Sequence, residues 1–345
     1  MSAAMSAGIN SGSLIWLAAA SALCVSAATI ALMLSSGWTP ALDRPNERSL
    51  HSTPTPRTGG LGLFAGLLAA GFVTLSLSGE WPRIETALAG ILAAVSLIDD
   101  RRGLTVRVRL LAHLAVAGIY AALLFHPFRL DPSEIIVIAI ATLVIVTLIN
   151  FYNFMDGANG MAGSMTCIGF GACALGAWPG DAALAALCAA LAASAAGFLP
   201  FNLRGRIFMG DSGAVPLGFL AGAVGLNGWH GGLWPLWFPL LVFAPFITDA
   251  AVTLARRMLR GEPFWLSHRQ HYYQRVVLMG ATHGQLAAGE AALMLLCAGA
   301  ALWVLREGVS EHAAVFATIG ALLLILMLVI DARWKRFVAR ASSRS

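Results

Sequence analysis

Charge is scarce in this chain. Only 11% of its 345 residues are Asp, Glu, Lys or Arg, and lysine occurs once, at Lys335. With 58% hydrophobic residues and a mean hydropathy of +0.77, one or two water-soluble domains are excluded and the solvent is a bilayer. Cysteine is sparse as well. Cys24, Cys167, Cys173, Cys188 and Cys297 are odd in number, contain no CxxC spacing and fall in apolar stretches. They read as small packing residues rather than a disulfide framework or a thiolate metal site. There is no internal repeat, no low-complexity block and no separate polar domain. The pI near 9.3 comes without a basic face interleaved with aromatics, so nucleic acid is not an expected partner.

What is present is a series of apolar runs. A bilayer core needs roughly 20 helical residues to cross it. About eleven such runs lie at 13–35, 59–78, 84–98, 110–125, 135–152, 163–178, 183–200, 214–227, 234–255, 285–304 and 313–332. Several are short, so the count falls to ten if one is tilted, broken or buried in the bundle. The first run is too long for a signal-peptide core and no basic segment precedes it, so it is expected to be retained. The expected fold is all-α, a polytopic membrane helix bundle forming one domain over 1–345.

Of the 22 Lys and Arg, 19 fall in alternate connections: 36–58, 99–109, 201–213, 256–284 and a tail, 333–345. Arg83, Arg129 and Arg306 are the exceptions. By the positive-inside rule those connections are cytoplasmic, with the amino terminus outside and the carboxyl terminus inside.

The polar chemistry collects on that same side. The first loop reads DRPNERSLHSTPTPRTGG over 43–60, with Arg44, Arg48, His51 and Arg57 as its basic groups. Asp99 and Asp100 are adjacent where the third run ends. After the fifth run, within a loop at 153–162 and its approach, Asn150, Asn153, Asp156 and Asn159 recur every third residue. Residues three apart share a helical face, so these four are expected to converge on one spot. A fourth loop reads FNLRGRIFMGDSG over 201–213, and a fifth carries SHRQHYYQR over 267–275 beyond Asp249. Each stretch has an ordinary reading as an ion-pair cluster, a helix cap, a turn or a stiff connector. Five ordinary stretches on one membrane face are less economical than one shared site. Carboxylates with amide oxygens and no thiolate suit a hard cation, Mg2+ or Mn2+. Arg and His beside glycine-opened backbone suit phosphate oxygens. Together they describe a metal–diphosphate site for phosphoryl transfer, and carboxylates at a membrane surface point the same way.

The ordered set DRPNERSLHSTPTPRTGG, Asp99-Asp100, NFYNFMDGANG, FMGDSG and HRQH resembles the polyprenyl-phosphate N-acetylhexosamine-1-phosphate transferases, glycosyltransferase family 4. The resemblance implies a catalytic cleft at the cytoplasmic face of a bacterial inner membrane. It implies Mg2+-dependent transfer of a sugar 1-phosphate from a UDP-sugar to undecaprenyl phosphate, with release of UMP. It further implies Asp99 and Asp100 as the catalytic pair, and Asp156, Asp211 and Asn153 around the metal. Phe208, Asn150, Asn159, Gly210 and Asn202 would line the nucleotide, with His268, His271, Arg204 and Arg206 on phosphate. Arg44, Arg48, His51, Arg57 and Asp249 carry no settled role. Muramyl-pentapeptide transferases have three consecutive histidines in the fifth loop and a lysine in the first. Here the fifth loop reads HRQH and the first has only Arg44, Arg48, Arg57 and His51 as cations. The form is similar instead to enzymes that initiate O-antigen or related lipopolysaccharide, using UDP-GlcNAc, UDP-FucNAc or UDP-QuiNAc. Membrane lipid is a necessary partner and a homodimer is allowed. A non-catalytic polyprenyl carrier or transporter is the competing reading, but polar groups gathered at one end without a repeat argue against it. The D-x-x-D-G-x-x-A-R signature of CDP-alcohol phosphotransferases is absent.

Overall fold

The computed structural model describes residues 10–38, 41–45, 53–125, 131–263, 268–307 and 312–342. Thirteen helices and one small hairpin make up these residues. In chain order they are α1 (Ser11–Ser36), β1 (Leu42–Asp43), β2 (Thr55–Pro56), α2 (Gly59–Ser78), α3 (Arg83–Arg102), α4 (Val106–Phe125) and α5 (Pro132–Phe154). Then follow α6 (Met161–Ala177), α7 (Ala182–Asn202), α8 (Asp211–His230), α9 (Trp237–Val242), α10 (Ala244–Leu259), α11 (Tyr272–Leu278), α12 (His283–Glu307) and α13 (His312–Ser342).

Seven helices are long and apolar enough to cross a membrane: α1, α2, α4, α5, α7, α12 and α13. This is a multi-pass membrane protein. The other four apolar runs of the sequence also form helices, with local reasons for falling short. α6 has 17 residues, and α3 ends in the charged tetrad Asp99-Asp100-Arg101-Arg102. The run 234–255 breaks at Phe243 into α9 and α10, between Pro239 and Pro245. α8 is buried on all sides from Ser212 to Leu226, so it needs no lipid-facing apolar stripe.

α8 is the hub. It packs on α3 and α5, and touches α2, α4, α6, α7 and α9. Small residues allow these approaches, as membrane bundles require where lipid supplies no hydrophobic drive between helices. A Cβ on Gly218 would lie 2.6 Å from the Ile149 Cα and 2.7 Å from the Leu148 carbonyl oxygen of α5. On the other side α1, α2 and α7 close together, where the buried Ser26 hydroxyl donates to the Ser194 carbonyl at 2.9 Å. A buried polar knot ties α3, α4 and α8: the Tyr120 hydroxyl and Asn227 amide both donate to Glu85 Oε1, at 3.1 and 2.8 Å.

The functional consequence is placement. The end of α3, the end of α5, the start of α8, the start of α4 and the β1–β2 hairpin come to the same end of the bundle, through the contacts described next.

Candidate active site

The floor of the site is a short ladder between two segments far apart in sequence. Phe208 N–H donates to the Pro56 carbonyl at 2.7 Å, Gly59 N–H to Phe208 O at 2.9 Å and Gly60 N–H to Met209 O at 2.9 Å. The last two donors open α2, and a helix start leaves such N–H groups without intrahelical partners. Gly59 and Gly60 are needed because the segments nearly touch. A Cβ on Gly60 would fall 2.6 Å from the Gly213 Cα, and one on Gly59 would lie 2.7 Å from the Phe208 oxygen. β1 pairs antiparallel with β2, Leu42 opposite Pro56 and Asp43 opposite Thr55, which fixes the approach of Arg57.

Four carboxylates and two guanidiniums are set on this floor. Arg57 reaches Asp100, with NH2 3.1 Å from Oδ1 and 3.3 Å from the main-chain oxygen. Arg109, in the first turn of α4, lies 3.1 Å from Asp99 Oδ2 and 3.9 Å from Asp211 Oδ2. Asp211 is the first residue of α8, where the helix dipole favours a negative group. Asp156 follows the end of α5 and its Oδ2 accepts Gly210 N–H at 3.2 Å.

The two members of the Asp99-Asp100 pair differ. Asp99 holds the α3–α4 turn: Oδ1 accepts Leu104 N–H at 2.6 Å and Oδ2 takes Arg109. Asp100 has one oxygen on Arg57, while its other, Oδ2, is buried without a partner. Buried polar atoms are normally hydrogen-bonded. Arg57 Nε, Thr58 Oγ1 and Ser212 Oγ are also buried and unpartnered, and all three belong to the ladder segments.

These carboxylates crowd one another. Asp100 is pushed up to about 7, first by burial and then by Asp211, against the pull of Arg57. Asp156 is held well above the usual carboxylate range by burial and by Asp211. Asp211 is raised by burial, with Arg57 and Arg109 opposing. Asp43 of β1 adds a further repulsion at all three. A carboxyl whose folded value lies above its unfolded one contributes stability fully at pH below the unfolded value, and that contribution is lost as pH rises through the folded value. The protein stripped of divalent cations is therefore expected to lose thermal stability between pH 5 and pH 8. The slope should flatten in Asp100→Asn, as measured by unfolding midpoint in detergent.

A cation would relieve this crowding, so the donor chemistry fits a divalent metal. Among the described residues no three of His, Cys, Asp and Glu stand together as a metal cage. Magnesium commonly takes one or two carboxylates and fills the rest of its octahedron with water and substrate phosphate. Asp156 and Asp211 match that demand.

The other candidates are placed as follows. Asn153 lies in the last turn of α5 and Asn150 one turn earlier, donating to Val146 O at 2.7 Å. The helix ends at Phe154, so Asp156 and Asn159 do not continue that face. Asp156 reaches the site through a turn, and Asn159 N–H points at His283 Nδ1 at 3.4 Å. The expectation of one helical face for all four fails because α5 stops two residues before Asp156. Asn202 is buried and braces the two loops: Oδ1 accepts Gly160 N–H at 2.6 Å and Nδ2 donates to Ile207 O at 2.9 Å. Phe208 is half-buried, directly before the Met209-Gly210-Asp211 bend. Arg204 is exposed and turned back to Pro200 O at 3.0 Å, and Arg206 is exposed. Arg44 is exposed just past β1, and Arg48 and His51 lie outside the described residues.

The histidine segment is organised by Asp249. Its carboxylate accepts Tyr272 N–H and Tyr273 N–H at 3.0 Å each, the Thr253 hydroxyl at 3.1 Å, and faces His271 Nδ1 at 3.1 Å. His268 stacks on His271 with ring centroids 4.9 Å apart. Burial, His271 and Arg257 push His268 down to about 4, so it offers a neutral imidazole. Tyr273 joins this segment to the Asp156 turn, donating from its hydroxyl to Phe154 O at 3.0 Å.

Residues 84–228 match the family profile described as Glycosyl transferase family 4, a span that includes Asp99, Asp100, Asp156 and Asp211 but not Asp43 of β1. The chain is 30% identical over 289 residues to a decaprenyl-phosphate N-acetylglucosaminephosphotransferase of Mycobacterium leprae, covering 70% of this chain and 71% of the relative. This protein belongs to glycosyl transferase family 4. Two further family 4 relatives are undecaprenyl-phosphate alpha-N-acetylglucosaminyl 1-phosphate transferases. The one from Yersinia pestis is 29% identical over 290 residues, 79% of this chain and 77% of its own. The one from Escherichia coli K12 is 26% identical over 333 residues, 88% of each.

Arg109, Asp43 and Tyr273 are the residues that sequence reasoning left aside. Arg109 was one of many positive charges in a loop. Its only cue is the Gly103 turn, which folds α4 back beside Asp99.

Proposed function

We propose that this protein transfers N-acetylhexosamine 1-phosphate from a UDP-sugar to undecaprenyl phosphate, forming undecaprenyl-diphosphate-sugar and UMP. The observation that carries the reading is the convergence of Asp99, Asp100, Asp156 and Asp211 with Arg57 and Arg109. The names of the relatives support a GlcNAc-type donor, and the HRQH form of the fifth loop favours a role in starting O-antigen or a related surface polysaccharide. The charge asymmetry of the connections supports a site on the cytoplasmic side of a bacterial inner membrane, with the amino terminus outside. The other four apolar runs would complete about eleven crossings in a single domain.

In this reading an oxygen of the lipid phosphate attacks the β-phosphorus of the UDP-sugar, and the bond from that phosphorus to the bridging oxygen breaks, so UMP departs. Arg109, already within reach of two carboxylates, neutralises diphosphate oxygens as charge moves to the leaving group. Arg57 pairs with Asp100 at 3.1 Å. It positions Asp100, whose unpartnered Oδ2 is the natural acceptor for a proton from the lipid phosphate. Asp156 and Asp211 would hold Mg2+, which supplies neutralisation of the diphosphate when bound. Asn153, Asn159 and Phe208 would line the nucleotide, and neutral His268 would donate to phosphate.

The reaction is tested by UMP release from purified protein given undecaprenyl phosphate, Mg2+ and a panel of UDP-N-acetylhexosamines. Release that needs both substrates and stops with chelator is expected. No release with any donor, from folded protein, would return the polyprenyl carrier. Within the acidic pair, Asp100→Asn should lower kcat about a hundredfold or more, with an unfolding midpoint at or above the wild-type value at pH 8. Asp99→Asn should lower the midpoint, because the α3–α4 turn loses its anionic anchor. The reverse pattern would exchange the two roles.

A further inference from the structure

A polar cavity lined by none of Asp99, Asp100, Asp156 and Asp211 lies between the segment before α11 and the end of α13. Its volume is about 300 Å³, and Arg260, Arg269, Arg275, Asp331, Trp334 and Lys335 line it, with Gln270. Four cations thus face one carboxylate. That carboxylate is already engaged: Asp331 binds Arg256 at 2.7 Å and Arg275 at 2.9 Å, and accepts from the Tyr272 hydroxyl at 3.3 Å. Arg275 is buried and fixed over two rings, 5.0 Å from Tyr272 and 5.9 Å from Trp334. Trp334 and Lys335 follow Asp331 by three and four residues, so all three share one face of α13. The cavity is an electropositive cup built around the fixed Arg275, with Arg260, which also faces Glu262 at 3.8 Å, Arg269 and Lys335 at its exposed rim.

Its position names the ligand. The apolar run of α13 ends at Ile330, and the charged residues begin with Asp331, so the cup sits where this helix leaves the bilayer. α13 is the least buried of the spanning helices. Leu324, Ile325, Leu328 and Val329 are exposed along it, and Phe337 and Val338 are exposed beside the cup. An anion at the cup would have apolar surface below it for hydrocarbon chains. We propose that this cavity binds the phosphodiester headgroup of an anionic phospholipid, with the acyl chains lying along α13. Basic pockets between helices at the membrane surface suit such headgroups, and each Lys or Arg near the surface adds attraction. Arg269 and Gln270 lie between His268 and His271 in the chain, and Tyr272 contacts the cup through Asp331. Lipid occupancy would therefore also steady the histidine segment.

The site rests on the membrane reading of α13 and not on the reaction, so it is tested by binding. Full-length protein stripped of lipid in detergent is given phosphatidylglycerol or phosphatidylcholine, and retained lipid is counted by native mass spectrometry. One phosphatidylglycerol per chain should be held in preference to phosphatidylcholine. Arg269→Gln with Lys335→Gln should weaken it about tenfold, and both positions are exposed, so folding is not at risk. Lys335→Arg should retain it. Equal retention of the two lipids, or undiminished phosphatidylglycerol in the double variant, overturns the proposal. Displacement by millimolar inorganic phosphate overturns the lipid source in favour of a soluble anion.

Discussion

Replacing Asp156 by Asn should lower turnover about a thousandfold while leaving the fold intact or firmer. The amide still presents an oxygen to Gly210 N–H, the hydrogen bond that the carboxylate accepts among the described residues, so the turn after α5 keeps its anchor. What disappears is a negative charge next to Asp211, and removal of one preorganised charged group at such a site costs about two to three orders of magnitude. The stability readout separates chemistry from collapse. Asp156 is held above the usual carboxylate range, so ionising it works against the folded state at neutral pH. The metal-free variant should therefore melt at or above the wild-type temperature at pH 8. Normal UMP release by this variant would remove Asp156 from the metal site. A lower melting temperature would instead make its charge a structural need.

Gly210→Ala should be lost at the level of structure. Gly210 has φ 72 and ψ 170, a region essentially confined to glycine, with a strain of about 1 to 3 kcal/mol for other residues. Its added Cβ would also collide with the Arg57 carbonyl oxygen. Relief requires the first loop to lift from the FMGDSG segment, which undoes the Gly59 and Gly60 contacts and withdraws Arg57 from Asp100. The expected result is a drop of about 2 to 4 kcal/mol in stability, with activity below detection. Gly231→Ala is the control: that glycine ends α8 at φ −75 and ψ 0, an ordinary backbone conformation. Equal melting of the two variants would show that the loop contact is dispensable.

Much of this was legible in the residues, for identifiable reasons. Spanning helices are visible because lipid demands long apolar runs, and α1, α2, α4, α5, α7, α12 and α13 satisfy that demand. α8 is harder to read, because a helix enclosed by protein can keep glycine, Asn227 and Asp211 without a lipid face. The paired acids and FMGDSG stood out because carboxylates at a membrane boundary are costly. The periodicity of Asn150, Asn153, Asp156 and Asn159 misled beyond Asn153, since Gly157 and Gly160 belong to a turn and not to the helix. Arg109 acts through a contact set by the α3–α4 turn, and spacing alone does not signal it. Tyr273 offers even less, because its role depends on α11 docking against the end of α5.

The ladder between residues 56–60 and 208–213 also sets an order of events during biosynthesis. The amides of Gly59 and Gly60 emerge from the ribosome about 150 residues ahead of the Phe208 and Met209 carbonyls that they meet. A nascent chain that has inserted α1 through α7 owns Asp99, Asp100 and Asp156 but lacks Gly210 and Asp211. Such long-range closure is slow relative to local helix formation. The chain therefore cannot bring Asp156 to the Gly210 amide while these helices are still being threaded into the membrane. The ladder closes only in a late step, when α8 enters among helices already in place.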